Sequence, residues 1–390
     1  MTTRETHFVT GATGFVGGAI VLELLDRTDC DVLCLVRGAD QATADDRLRR
    51  ALTHAADTYD RRDLWPAIAE RTRTVVGDVT EPGCGIDAAA APAIAQLWHV
   101  AASLKYEDRD AEEINRLNVT GTEHVVALAR SLGSPMVNYV STAYVAGRKT
   151  GAIRESVESD IAVANNVYER SKILAESIIV SCGLPYRILR PSIVIGHSRT
   201  YGATSFTGLY GFTSAVLTFR LVVERALGDL LRHRSAMLLA EPGTETNFIP
   251  VDMVAANAVS VALSDSPERV FHLTNGAAPT LEMSVCAVFR WAALRDPVFV
   301  TNRGLLTSVD HQLDKGLDFY SSYIKNGKSF ERANTDAVCG AAASMSPIDA
   351  AELTRYLDWY GRRIRQDGRT AAPARQPFAY RANHALDPVS

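Results

Sequence analysis

The run His7-Phe8-Val9-Thr10 ends directly on Gly11-Ala12-Thr13-Gly14-Phe15-Val16-Gly17, and the residues that follow, to Arg27, set Val16, Ile20 and Leu24 at helical spacing. A strand, a glycine turn and an amphipathic helix in that order constrain the fold more than any other feature of this chain. Glycine at 11, 14 and 17 permits a tight turn, close approach of backbone to a pyrophosphate, and close packing of helix on strand, with the phosphates at the positive helix end. Three glycines alone say little. The strand before them and the helix after them make the turn, with Thr13, Phe15 and Val16 inside it, a candidate dinucleotide cradle.

The alternation continues. Short runs DVLCLVR, RTVVGD, QLWHVAA, MVNYVST and YRILRPSIVIG are separated by longer helical patterns, which implies a Rossmann-type α/β fold, a doubly wound parallel sheet with helices on both faces. The segment Gly38 to Glu70, rich in Ala, Arg and Asp, is long for a crossover and predicts an inserted helical hairpin. Beyond Gly196 come a Gly/Ser/Thr/Tyr loop, a helix to about Arg234, a strand at NFIPV, a helix from Asp252 and a strand at VFHLTN. This order predicts a nucleotide-binding core over 1–200, continued by 245–275, and a smaller, discontinuous, mostly helical substrate region over 201–244 and 276–365. Residues 366–390 mix Pro, Arg, Ala and polar residues without periodicity and are expected to form a mobile tail.

Composition removes several function classes. A net charge of −4 offers no footprint for nucleic acid. The six cysteines, at 30, 34, 84, 182, 286 and 339, form no CxxC pair, and no cysteine–histidine spacing suits a metal, so none is expected and reduced thiols in a cytoplasm are. The N-terminus has no secretory signal pattern. Thr200 to Phe219, the longest uncharged stretch, is too polar for a bilayer span, so no transmembrane segment is expected.

The strand ends carry the candidate chemistry. Asp or Glu at the end of the second strand would mark an NAD ribose site; this chain has Leu35-Val36-Arg37, and a guanidinium suits the 2′-phosphate of NADP(H). Arg47 lies within reach on the following helix, Asp78 and Val79 end the third strand near the adenine, and Ala101 and Ala102 let the fourth pass close to the cofactor. Tyr168-Glu-Arg-Ser-Lys172 opens a helix, and i, i+4 spacing puts phenol and ammonium on one face. A nearby cation lowers a phenol toward the working range, so Tyr168 can exchange a proton with a carbonyl oxygen while Lys172 also holds a ribose. Ser141 and Thr142, at the carboxyl end of the fifth strand, point to opposite faces, and either hydroxyl could serve there. Pro191, Ser192 and Ile193 would border the nicotinamide carboxamide, His99 reads as a satisfied core or cofactor-adjacent residue, and Asp252 reads as a helix N-cap.

Taken together, GATGFVG, LVRG, VVGDVTEP, HVAAS, NVTGTEHVVALA, YVSTAYV, YERSK and ILRPSIVIG resemble the extended short-chain dehydrogenase/reductase family, closest to its thioester reductase and fatty acyl-CoA reductase group. The likeness covers about residues 7 to 275; farther on only the aromatic stretch around Phe319 to Phe330 is similar to the small C-terminal part of such enzymes. It implies NADPH use and a Ser/Thr-Tyr-Lys triad at Thr142, Tyr168 and Lys172, with Thr142 favoured over Ser141 by register against related enzymes. It also implies that Asn118, the helix asparagine of NVTGT, supports the site and counts among its cofactor-binding residues. The leading expectation is reduction of an acyl thioester to aldehyde or alcohol. No adenylation or carrier segment precedes residue 1, so the thioester is expected to arrive in trans, on CoA or an acyl carrier protein. The segment His197 to Leu230 is the expected pocket for an acyl chain, with Arg199 placed to meet a phosphopantetheine arm. The alternatives are a reductase of a free ketone or secondary alcohol and, without chemistry, a dinucleotide sensor; the intact triad disfavours the sensor, and Arg37 disfavours a sugar-nucleotide epimerase.

Overall fold

The computed structural model describes residues 4–317, 320, 323 and 327–370. Seven parallel strands form the main sheet: β1 (Thr6–Thr10), β2 (Asp31–Val36), β3 (Thr72–Val76), β4 (Ile94–His99), β5 (Met136–Val140), β6 (Tyr186–Pro191) and β7 (Val270–Leu273). Their order is β7-β6-β5-β4-β1-β2-β3, so the winding reverses between β1 and β4 and opens a crevice at their carboxyl ends.

Both faces of the sheet are covered, which is why its strands read as near-continuous apolar runs. Helices Phe15–Arg27, Gln41–Thr58 and Val251–Ala262 bury Ile20, Leu24, Leu48, Leu52, Val254 and Ala258 on one side. Gly121–Ser131 and Val167–Ser181 bury Val125, Ala129, Ala175 and Ile179 on the other. The long second crossover is the expected hairpin, Gln41–Thr58 followed by Trp65–Arg71.

A separate apolar cluster is built by Leu209–Leu227, Leu281–Trp291, Ser308–Gly316 and Ala350–Thr370, together with the parallel pair Met237–Leu239 and Val298–Val300. The helix expected to run to Arg234 stops at Gly228, whose φ of 64° only glycine adopts freely, and a short turn of helix, Leu230–His233, follows. Asp252 is not an N-cap: Pro250 holds that position, and the Asp252 carboxylate instead accepts from Ser198 N at 2.8 Å and Ser198 Oγ at 2.6 Å. Of the expected tail, 366–370 belong to the last helix and 371–390 lie outside the described residues. The aromatic stretch is partly outside them too. Its end is a strand rather than a helix, Lys328–Phe330, paired in parallel with Gly151–Ile153. Among the described residues, no helix is long and apolar enough to cross a membrane.

One buried ion pair fixes the helix that carries the Tyr-Lys motif. Arg190 of β6 donates to Glu176 through Nε at 2.8 Å and Nη2 at 2.6 Å, with both side chains 1% exposed or less. Removing one partner strands a buried charge, so Arg190→Leu is expected to cost roughly 3–5 kcal/mol. A fall of the urea midpoint measures this; an unchanged midpoint would mean that the ion pair does not hold the helix in place.

Candidate active site

A cavity of about 2150 Å³ runs along the crevice, from the glycine turn to the helical cluster. At its first end the backbone passes so close that side chains are excluded. A Cβ on Gly17 would lie 2.1 Å from the Gly11 carbonyl oxygen, and one on Gly11, whose φ is 76°, would lie 2.6 Å from Ala101 N. Helix Phe15–Arg27 starts at Gly14 with no side-chain cap, leaving its first amides open to the cavity, where Thr13, Gly14, Phe15, Val16 and Gly17 form the wall. An uncapped helix start beside a cradle that a Cβ would fill fits a pyrophosphate.

Farther along this end, Arg37 and Arg47 line the cavity with Asp78 and Val79. The Arg37 side chain is 60% exposed, its Nη1 lies 4.0 Å from Asp78 Oδ2, and Arg47 Nη1 donates to the Arg37 carbonyl at 3.1 Å. Ala101, Ala102, Pro191, Ser192 and Ile193 line the middle. Thr10 Oγ1 accepts from Val100 N and Ala101 N, each at 3.2 Å, and so ties the ends of β1 and β4 together. His99 is the satisfied core residue expected, between Thr10 and Thr122.

Thr142, Tyr168 and Lys172 all line the same cavity, as does Ser141. Asn166 caps helix Val167–Ser181 by accepting from Glu169 N at 2.9 Å, which sets Tyr168 in the first turn and Lys172 one turn on. Lys172 is buried; its Nζ donates to Val140 O at 2.8 Å and to the Tyr139 hydroxyl at 3.0 Å. Burial drives the ammonium down to about 7, with the charge of Glu176 acting the other way. The expected lowering of the Tyr168 phenol does not hold here. Enclosure, and then the charge of Glu169, push it up, so it stays protonated and available as a donor. Thr142 Oγ1 accepts from Tyr144 N at 3.2 Å and donates to Pro191 O at 3.5 Å, whereas Ser141 Oγ is buried with no partner among the described residues.

Asn118 does not reach the cavity wall. It lies in a π-helical turn, Arg116–Thr120, where its amide accepts from Ser103 N at 2.7 Å and donates to Ser103 O and Ser171 Oγ at 3.1 and 2.9 Å. It braces the loop after β4 against the Tyr-Lys helix, so it is a support rather than a cofactor contact.

The other half of the cavity is apolar. Phe206, Phe212, Phe219 and Val222 meet Leu281, Val285 and Val288, and Tyr144 packs edge-on against Tyr323, with ring centres 4.4 Å apart. Arg199 is absent from this wall, because its loop turns toward Asp252; Arg303, His311 and Lys315 line the cavity instead. Sequence reasoning missed those three, and missed Tyr139, because only tertiary packing of a helix with no motif of its own, or of a strand interior, brings them in.

The family described as "Male sterility protein", an NAD-binding family, matches residues 9–258. The chain belongs to that family. This makes it an NAD(P)-dependent oxidoreductase of the extended short-chain dehydrogenase type, with a nicotinamide dinucleotide as cofactor. Among curated relatives, a linear gramicidin synthase chain of Brevibacillus parabrevis is 26% identical over 73% of this chain and 5% of its own length. A putative fatty acyl-CoA reductase of Drosophila melanogaster is 29% identical over 50% of this chain and 41% of its own. The chain thus spans between about a twentieth and two fifths of the length of these relatives. The terminal R domain from the myxalamid PKS-NRPS pathway shares the fold, with a TM-score of 0.73 at 24% identity, covering 93% of this chain and 92% of that one.

The glycine cradle gives a direct test. Gly17→Ala is expected to weaken binding of the nicotinamide dinucleotide by at least about tenfold, since 2.1 Å to the Gly11 carbonyl forces helix and turn apart. Fluorescence titration reads this, and parent-like affinity would show that the turn does not carry the phosphates.

Proposed function

We propose that the protein is an NADPH-dependent reductase that takes an acyl thioester, on CoA or on an acyl carrier protein, to aldehyde or alcohol. The observation that carries this is one continuous cavity in which a phosphate cradle, a Tyr-Lys pair and an apolar helical vault follow one another. The name of one curated relative, a putative fatty acyl-CoA reductase, supports the thioester. Six free cysteines support a reducing cytoplasm. We assign cofactor binding to 1–200 with 245–275, and substrate binding to 201–244 with 276–365.

In this reading Gly11 to Gly17 hold the pyrophosphate, Arg37 and Arg47 the 2′-phosphate, and Lys172 the nicotinamide ribose. The bound cofactor supplies hydride. The Thr142 hydroxyl orients the substrate carbonyl, with Ser141 next to it as a second donor. Tyr168, held neutral by enclosure, offers its phenolic proton to the oxygen that gains charge. The ammonium of Lys172 steadies the phenolate left behind. The hemithioacetal so formed returns its hydroxyl proton to the Tyr168 phenolate, and collapse of its oxygen breaks the C–S bond, leaving an aldehyde and a thiolate that takes a proton from water. The apolar wall excludes water and takes the acyl chain, while Arg303, His311 and Lys315 suit the phosphate of a phosphopantetheine arm.

NADPH is expected to bind at least about tenfold more tightly than NADH, and Arg37→Asp to erase that preference. Equal affinities in the parent would remove the 2′-phosphate assignment. Tyr168→Phe should lower turnover by about a hundredfold or more, and Thr142→Ala should harm it more than Ser141→Ala. Initial rates across the three variants test this, and retention of a tenth of parent activity by Tyr168→Phe would end its role as donor. Free thiol should appear in step with NADPH loss on acyl-CoA or acyl-carrier substrates. NADPH oxidation on ketones alone, with no thiol from any thioester, would move the assignment to a free-carbonyl reductase.

A further inference from the structure

Besides Tyr168, the cavity wall holds a second phenol that the reaction above does not use. Tyr144 lies two residues after Thr142, in the single turn Ala143–Ala146 that follows β5, and its amide is the donor to Thr142 Oγ1 at 3.2 Å. The residue is 6% exposed and its ring is held in place. Tyr323 and Phe330 meet it edge-on, with ring centres 4.4 and 5.6 Å away, and Lys328 Nζ stands 5.8 Å from its centre. Yet its hydroxyl has no hydrogen-bond partner among the described residues, and it is not sealed off as Ser141 Oγ and Thr246 Oγ1 are. Burial, and then the charges of Glu169 and Glu245, push the phenol up, so it stays neutral and can both donate and accept. A fixed, nearly buried phenol without a partner leaves a hydrogen bond for something in the cavity to make.

The reacting carbonyl and the apolar vault place that something. In the reading above the carbonyl lies at Thr142 and Tyr168. With its amide 3.2 Å from Thr142 Oγ1, Tyr144 can place its hydroxyl only within a tyrosine side chain's length of that bond, which is a few covalent bonds along the substrate. Farther along the vault other hydroxyls offer less: Thr218 donates to Ser214 O at 2.8 Å, Ser284 donates to Thr280 O at 2.9 Å, and Thr246 Oγ1 is enclosed. The walls there are Phe206, Phe212, Phe219, Val285 and Val288. We propose that Tyr144 is a specificity-determining residue whose hydroxyl hydrogen-bonds an oxygen or nitrogen on the carbon α or β to the reacting carbonyl, so that the preferred thioester is polar beside its carbonyl and apolar farther out. The proposal rests on the reading of the Thr142–Tyr168 end as the place of that carbonyl. Hydroxyacyl, oxoacyl and aminoacyl thioesters carry the group required. A plain saturated chain leaves the phenol unpaired or holding a water, and forgoes the bond.

CoA thioesters of equal chain length separate the cases: octanoyl, α-hydroxyoctanoyl and β-hydroxyoctanoyl, the last two as both enantiomers. The full-length parent is expected to reduce one of the hydroxylated thioesters with a kcat/KM about tenfold above that for octanoyl-CoA, the worth of one hydrogen bond. Tyr144→Phe keeps the ring and its packing, and should bring that ratio to about one, chiefly through a higher KM for the hydroxylated substrate. Because the hydroxyl has no protein partner, its removal is expected to leave the thermal melt unchanged; should the variant not fold, Tyr144→Met, which also lacks the hydroxyl, takes its place. Affinities of the same thioesters for the protein loaded with the oxidised dinucleotide should show the same preference and the same loss. A parent that treats the thioesters alike within about twofold, or a folded variant that keeps the preference, overturns the proposal. If no thioester releases thiol and only ketones are reduced, the functional reading fails, and α- and β-hydroxy ketones set against the plain ketone then decide the role of Tyr144 by the same two outcomes.

Discussion

The seating of helix Phe15–Arg27 on the end of β1, with room at Gly17 for a hydrogen and nothing larger, is the contact on which the rest of the site depends. It brings uncapped amides to the crevice where the strand order reverses. Gly11 does the same against the backbone of Ala101, so β1 and β4 end at one level. Both contacts are backbone to backbone. They fix a geometry that side-chain rotamers cannot blur, and the cavity inherits its shape from them.

Helix Val167–Ser181 concentrates the charge that the interior must tolerate. It carries Glu169, Lys172 and Glu176, all buried, beside Tyr168. Buried charges are costly unless paired and hydrogen-bonded. Arg190 takes Glu176, Asn165 donates backbone and side-chain hydrogens to Glu169 at 2.7 and 2.9 Å, and Lys172 meets a carbonyl and a phenol. The helix is therefore locked in rotation and in height, which a proton donor on its first turn requires.

What could be read from the amino-acid order was what is local in it. The glycine turn, the i, i+4 pair at Tyr168 and Lys172, and the hairpin between β2 and β3 are each specified by neighbours within one or two turns, and the structure has the elements where the pattern puts them. Arg199 was misplaced because a loop between two pocket elements was taken to face the pocket, whereas two hydrogen bonds from Ser198 to Asp252 turn that loop elsewhere. Arg303, His311 and Lys315 lie on segments with no motif; the packing of Ser308–Gly316 on Leu209–Leu227 brings His311 and Lys315 to the cavity, and Arg303 comes from the turn before that helix. Tyr139 gave no signal at all, since an aromatic residue within a strand ordinarily reads as core.

The small strand Lys328–Phe330 lies against Gly151–Ile153, the loop that follows Thr142. Lys328 Nζ donates to the Gly147 carbonyl, Phe330 packs on Tyr144, and Glu155 accepts from Asn334 and Thr335. These partners stand about 180 positions apart in the chain. Contacts of such separation close late, because the intervening loop must be drawn in before they return any free energy. During synthesis the sheet and its dinucleotide cradle can assemble while the wall around Tyr144 is still missing its outer layer. The emerging protein thus acquires its nucleotide pocket well before the chamber beside it, and that chamber is finished only once the strand Lys328–Phe330 has left the ribosome.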